Sequence, residues 1–153
     1  MKKQLISLIL TLSTLTACGM EEPPSGLYNV DPEFEPYVNY LADVALDYGA
    51  RIDIENLSVE LRDLGSADGW TTLGSCYNMY EINPILVFDR RIWAKANETE
   101  RRMLVLHEAG HCVLKRMHTS DRHSLMHFTI KVSPSEFEAN PWPYLDELFT
   151  NPH

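Results

Sequence analysis

The sequence predicts an α+β fold: a small mixed sheet between a front helix and a central helix. Three observations carry this. Apolar residues from Phe34 to Tyr48 recur at helical spacing. Short apolar or alternating runs at 51–63, 70–77 and 85–88 are separated by glycine and proline turns. Asn97 followed by Glu100 makes a capping-box pattern that opens a second helical stretch. At 153 residues the chain has the length of one domain. Its hydrophobic content of 44% excludes a disordered chain. The formal charge of −9 excludes a nucleic-acid binder, which needs a basic surface.

The amino-terminus reads as an address. Lys2 and Lys3 precede an apolar run, Leu5 to Thr16, that is too short to span a bilayer. Leu15-Thr16-Ala17-Cys18 follows. This arrangement resembles the bacterial lipoprotein signal, whose cysteine is lipidated and becomes the first residue after cleavage. The resemblance implies removal of residues 1–17, lipid on Cys18, and a tether over 18–30 ahead of a domain at 31–153. Loss of Lys2 and Lys3 takes the basic count from 13 to 11, against 22 acids. Gly19 after the cysteine favours the outer membrane, so a lipid-anchored envelope protein facing the periplasm or the surface is expected. A monomer is expected.

Asp31-Pro32 reads as an N-cap with proline at the first helical position, and Gly49 as the C-cap of that first helix. Residues 51–63 read as one or two strands, Gly65 to Gly69 as a loop, and Trp70 to Tyr77 as a further strand. After the Asn83-Pro84 turn, Ile85 to Phe88 reads as a short apolar strand ending at Asp89. The central helix runs from about Glu98 to Leu114. A polar loop and a proline-rich stretch, Pro134 to Pro143, lead to a last helix over Tyr144 to Phe149.

Five of the six histidines, 107, 111, 118, 123 and 127, form one cluster. Within it stands His107-Glu108-Ala109-Gly110-His111. Positions i and i+4 share one face of a helix, so His107 and His111 present two imidazoles to a single ion. Glu108 lies beside the first ligand, where its carboxylate reaches water carried by that ion. This pattern is the one needed to make hydroxide from water at neutral pH.

These residues resemble the metzincin zinc metallopeptidases. That family adds a third histidine soon after the second and then a methionine turn. His118, seven residues after His111 and one beyond the usual spacing of that family, matches the third histidine, and Ser124-Leu125-Met126-His127 resembles the methionine turn, with Met126 beneath the metal. A closer resemblance is to small bacterial zinc metallopeptidase lipoproteins. It also covers Gly74-Ser75-Cys76, Val87-Phe88-Asp89, Trp93 and Glu100-Arg101. The resemblance implies Zn²⁺ as cofactor, a peptide or protein substrate and Glu108 as general base. By analogy with such folds, the strand near Ile85–Phe88 is read as the edge that aligns an extended peptide. The alternative is an envelope lipoprotein that binds zinc without turnover.

One feature departs from the family. A glycine is expected shortly after the second histidine, and Leu114 and Lys115 stand there. A straight helix would carry His118 about 10.5 Å along the axis from His111. The chain must therefore turn between Leu114 and Met117 with a non-glycine residue in the left-handed region, at about 1 kcal/mol. His118 is the first choice for the third ligand, His123 the second, and Glu136 or Glu138 the third. His127 is a candidate for substrate contact, Asp121 for orienting a ligand, and Tyr77, Tyr80 or Tyr144 for oxyanion stabilisation. His153 is terminal. Cys76 and Cys112 remain once Cys18 is lipidated. In an oxidising compartment they suggest a disulfide between strand and central helix, with buried free thiols or a zinc-capping Cys76 thiolate as the alternatives.

Overall fold

In the computed structural model, which describes residues 30–67, 70–77 and 83–150, five helices and a small mixed sheet form an α+β fold. The stretch read as a lipoprotein signal, Cys18, Tyr80 and His153 lie outside the described residues.

Helix α1 (Glu35–Asp47) buries Tyr37, Val38, Leu41, Val44 and Ala45. It begins later than the Asp31-Pro32 signal suggests. The Asp31 carbonyl accepts from Phe34 N at 2.8 Å and its carboxylate from Glu33 N at 3.0 Å, so this dipeptide shapes a turn ahead of the helix. Gly49 ends α1 with φ +70°, as its type predicts. The alternation at Ile52 and Ile54 is not a strand. Ile54–Asn56 forms a 3₁₀ turn, and the strand is confined to β1 (Ser58–Arg62).

The segment 70–77 also divides. Strands β2 (Ser66–Ala67) and β3 (Trp70–Thr71) make a separate antiparallel pair, and β4 (Gly74–Tyr77) joins the main sheet with β5 (Ile85–Asp89). The order is β1-β5-β4, with β1 parallel and β4 antiparallel to β5. The Ile85–Phe88 strand is therefore central, not an edge. Leu86, Val87 and Phe88 are all buried, and such a wholly apolar run suits a strand flanked and covered on both sides. The edges are β1 and β4. Among the described strands, β4 has no partner on its outer side.

Asp89 closes β5 and caps α2 (Arg90–Lys95), a helix the sequence reading missed. Its carboxylate pairs with the Arg91 side chain at 3.2 Å and accepts from Arg91 N, Ile92 N and Leu64 N. The Arg91 pairing, with those N–H groups, holds its carboxyl well below the usual carboxylate range. A depressed folded value stabilises the fold at pH above the unfolded carboxylate value of about 4. That contribution declines as pH falls below about 4 toward the folded value. Urea midpoints measured through this range should fall for the wild type. Asp89→Ala should lower them at neutral pH and flatten the acid slope.

Helix α3 (Glu98–Cys112) starts on the capping box. Asn97 Oδ1 accepts from Glu100 N at 2.9 Å, and Glu100 accepts from Asn97 N at 2.8 Å. Every residue from Met103 to Gly110 is buried, which marks α3 as the middle of the fold. A sheet between two helices is not what forms. Helix α1 packs directly on α3, and α3 packs on β4 and β5. Phe34, Phe88 and Trp93 cluster at one end of this core, with ring centroids 4.6 to 5.9 Å apart. A disulfide joins Cys76 of β4 to Cys112, the last residue of α3, with Cα atoms 5.4 Å apart.

Helices α4 (Pro134–Ala139) and α5 (Trp142–Thr150) finish the described chain. The sequence predicts only a proline-rich connection where the first of these forms. Ser133 and Glu136 form its capping box, and Pro134 sits at the first helical position, where its missing N–H costs nothing. No helix among the described residues is long and apolar enough to cross a membrane.

Candidate metal centre

Helix α3 presents His107 and His111 one turn apart, with ring centroids 4.9 Å apart. The helix then stops without glycine. Lys115 takes the left-handed conformation at φ +60°, and its Nζ donates to the Cys112 carbonyl at 2.6 Å. The N–H groups of Leu114 and Arg116 reach back to the carbonyls of Ala109 and Gly110. The chain reverses there and His118 returns over the helix. Thr119 N donates to Met126 O at 3.0 Å, which ties this returning segment to the turn containing Met126.

Three imidazoles meet as a result. His118 Nε2 lies 3.2 Å from His107 Nε2 and 3.0 Å from His111 Nε2. The outer nitrogens settle the tautomers. His107 Nδ1 lies 2.6 Å from the Leu125 carbonyl, and His111 Nδ1 lies 2.6 Å from the Arg116 carbonyl. A carbonyl only accepts, so both Nδ1 atoms carry the proton and both Nε2 atoms turn a lone pair toward His118.

These features fit a bound metal. Nitrogens at about 2.0–2.1 Å from one tetrahedral ion stand roughly 3.3 Å apart, close to the separations here. The backbone carbonyls supply the outer hydrogen bonds that ligating histidines need. The three residues His107, His111 and His118 are close enough to hold one metal ion. Burial, the largest influence on His107, pushes its pKa down to about 4, so this ring is neutral at physiological pH, as ligation requires. Burial also lowers His118.

Glu108 is buried beside the triad, and burial pushes its carboxyl up to about 8. It packs against the edge strand. A Cβ added to Gly74 would come within 2.6 Å of Glu108 Oε1, so only glycine lets β4 pass so close to this carboxylate. Gly110 has a matching role beneath the site. A Cβ there would fall on Met126 Sδ, which occupies the space under the helix. Met126 is fully buried.

A cleft of about 450 Å³ runs over these groups, walled by residues 71–76 on one side and by Phe128, Thr129 and Ile130 on the other. His107, Glu108, His111 and His118 all line it. An apolar cavity of about 330 Å³, lined by Met103, Ile92 and Val132 among others, adjoins it through the shared walls Leu73, Leu104, Thr129 and Ile130.

The other candidates stand elsewhere. His123 is exposed, and its N–H donates to Asp121 Oδ1 at 2.9 Å within a turn. Asp121 therefore shapes that turn and orients no ligand of the triad. Glu136 caps α4, and Glu138 is exposed on the same helix. His127 is buried, with Nδ1 accepting from Thr129 N at 3.2 Å. Tyr77 and Tyr144 do not line the cleft. Cys76 is tied up in the disulfide, which leaves no thiolate to cap a metal.

Three contributors escaped the sequence reading: the Gly74 approach to Glu108, the Arg116 carbonyl, and Glu147. Arg116 and Glu147 meet across 31 positions of sequence, and no local spacing announces such a pair. The chain matches no protein-family model, and comparison with curated proteins and with solved structures returns no match.

Proposed function

We propose that this chain is a zinc-dependent peptidase of metzincin-like type, held at the cell envelope by lipid on Cys18. The observation that carries this reading is the convergence of three Nε2 atoms beside a buried glutamate in an open cleft. Three neutral imidazoles with room for a further ligand are the donor set of catalytic zinc sites, whereas structural zinc is closed by four protein ligands. His107, His111 and His118 would hold the zinc, which would supply Lewis acidity and lower the pKa of the attacking water.

The residues of the chain do the rest. Burial raises the Glu108 carboxyl, and a cation held by the three histidines would draw it back to the carboxylate, the form that takes a proton from the attacking water and returns it to the departing amine. The unpaired outer edge of β4 aligns an extended peptide along the cleft by backbone hydrogen bonds. The adjoining apolar cavity accommodates an apolar side chain of that peptide. The lipoprotein signal at Leu15–Cys18 supports an envelope location.

Elemental analysis of purified protein, coupled to cleavage of a peptide library, tests this. Equimolar zinc is expected, with cleavage lost on chelation and restored by zinc. Bound zinc with no cleavage of any peptide would make the chain a zinc-binding lipoprotein without turnover. Absence of bound metal after incubation with zinc would reject both.

A further inference from the structure

We propose that Glu147, on the last described helix, is the positioning residue that holds both imidazoles of α3 in their ligating orientation. The inference deepens the metal-centre reading and rests on it for its purpose. Two backbone carbonyls aim the rings: Leu125 O for His107 and Arg116 O for His111. They belong to opposite ends of the loop that carries His118, and one carboxylate anchors both ends. Glu147 Oε1 pairs with Arg116 Nη2 at 2.6 Å. Glu147 Oε2 accepts from Ser124 Oγ at 2.7 Å.

Each anchor is reinforced. Arg116 is buried, and its Nη1 donates to the carbonyls of Glu147 and Leu148 at 2.8 and 2.7 Å. These carbonyls belong to the last turn of α5, where helix carbonyls need partners from outside the helix, so the end of α5 is a socket for this guanidinium. Ser124 is fully buried, and its Oγ accepts from Met126 N at 2.9 Å, which pins the peptide on the far side of Leu125. The Leu125 carbonyl thus sits within a turn held from α5. A charged arginine–carboxylate hydrogen bond on one oxygen and a hydroxyl on the other engage both ends of the carboxylate, so its angle is fixed as well as its distance.

The chemistry explains why direction matters. An imidazole ligates through Nε2 only while Nδ1 carries the proton, and the carbonyl opposite Nδ1 keeps it there. If the loop ends drift, both rings sample the other tautomer and turn away. Glu147 does not line the cleft, and its side chain reaches the site through Arg116 and Ser124.

The test uses the intact chain in two arms. Nitrogen-15 NMR of metal-free protein, well above the ordinary imidazole pKa of about 6.5, reports the tautomer of each ring. Wild type should show Nδ1–H at His107 and His111. Glu147→Ala should show mixed tautomers at both. Ser124→Ala removes one anchor only, so it should disturb His107 and spare His111, a selectivity that general loosening would not produce. In the second arm, titration with Co²⁺ should show affinity lower by about 10- to 100-fold in Glu147→Ala, with an altered d–d spectrum. If Glu147→Ala does not fold, Glu147→Gln, which keeps an acceptor but loses the charge, takes its place with the same signs and smaller size.

Unchanged tautomers in a folded Glu147 variant would overturn the inference whatever the metal does. So would equal disturbance of both rings by Ser124→Ala. Mixed tautomers in the Glu147 variant, together with no Co²⁺ binding by wild type, would uphold the positioning role and reject the metal-centre reading.

Discussion

Replacing His107 and His111 together by alanine is expected to abolish zinc binding while leaving the fold in place. Each ring offers one of three ligand nitrogens, and His118 Nε2 lies 3.2 Å from that of His107 and 3.0 Å from that of His111. Loss of an outer-shell partner alone costs roughly 10- to 100-fold in metal affinity, and loss of two direct ligands must exceed that by a wide margin. Dialysed protein should then carry no zinc by elemental analysis. A second measurement guards against simple unfolding. A ligand present at about a thousand times its Kd stabilises the folded state by about 4 kcal/mol, so wild type should melt at lower temperature after chelation. The double variant should melt at the same temperature with and without chelator. His118→Ala should also weaken binding strongly, whereas exposed His123, bonded only within its own turn, should be replaceable without effect. Near-stoichiometric zinc in the double variant would place the metal elsewhere.

Glu108→Gln is expected to keep zinc and the fold but lose hydrolysis. Glutamine nearly matches glutamate in shape, which matters because Gly74 leaves little space beside this side chain. Its amide cannot take a proton from water. General acid–base groups contribute about 10²- to 10⁴-fold, and the loss should fall on kcat with zinc content unchanged. Glu108→Ala should behave alike but leave a gap against β4. Hydrolysis by Glu108→Gln at the wild-type rate would remove Glu108 from the reaction and assign the general base to another group.

Legibility in the sequence followed the range of the interactions. The capping box at Asn97 and the left-handed Gly49 depend on neighbours three or four residues away, and both appear where local chemistry puts them. The i,i+4 pair of histidines is of the same kind. The need for a turn after His111 was also readable, because a straight helix carries His118 too far; Lys115 makes that turn. The starts of α2 and α4 were present as Asp89 and Ser133, but a strand end and a proline-rich stretch masked their capping roles.

Of the long-range pairings, the Cys76–Cys112 bridge was legible from the cysteine count, but strand order and helix packing were not. Ile85–Phe88 reads equally well as an edge or a central strand, because a short apolar run carries no record of its neighbours. Only the pairing of β1 and β4 on either side makes it central and leaves β4 as the edge beside Glu108. The contact of α1 with α3 likewise depends on how apolar faces are shared in three dimensions.

By itself, then, the sequence determined the α+β class, the central helix and the pair of imidazoles on one of its faces. These follow from backbone periodicity and side-chain chemistry at short range. The tertiary structure alone decided which carbonyls fix the tautomers, which strand faces the carboxylate, and how Arg116 and Ser124 meet Glu147. Ligand convergence needs atoms from segments up to tens of residues apart to agree within a few tenths of an ångström. Only packing of the whole core sets positions that closely.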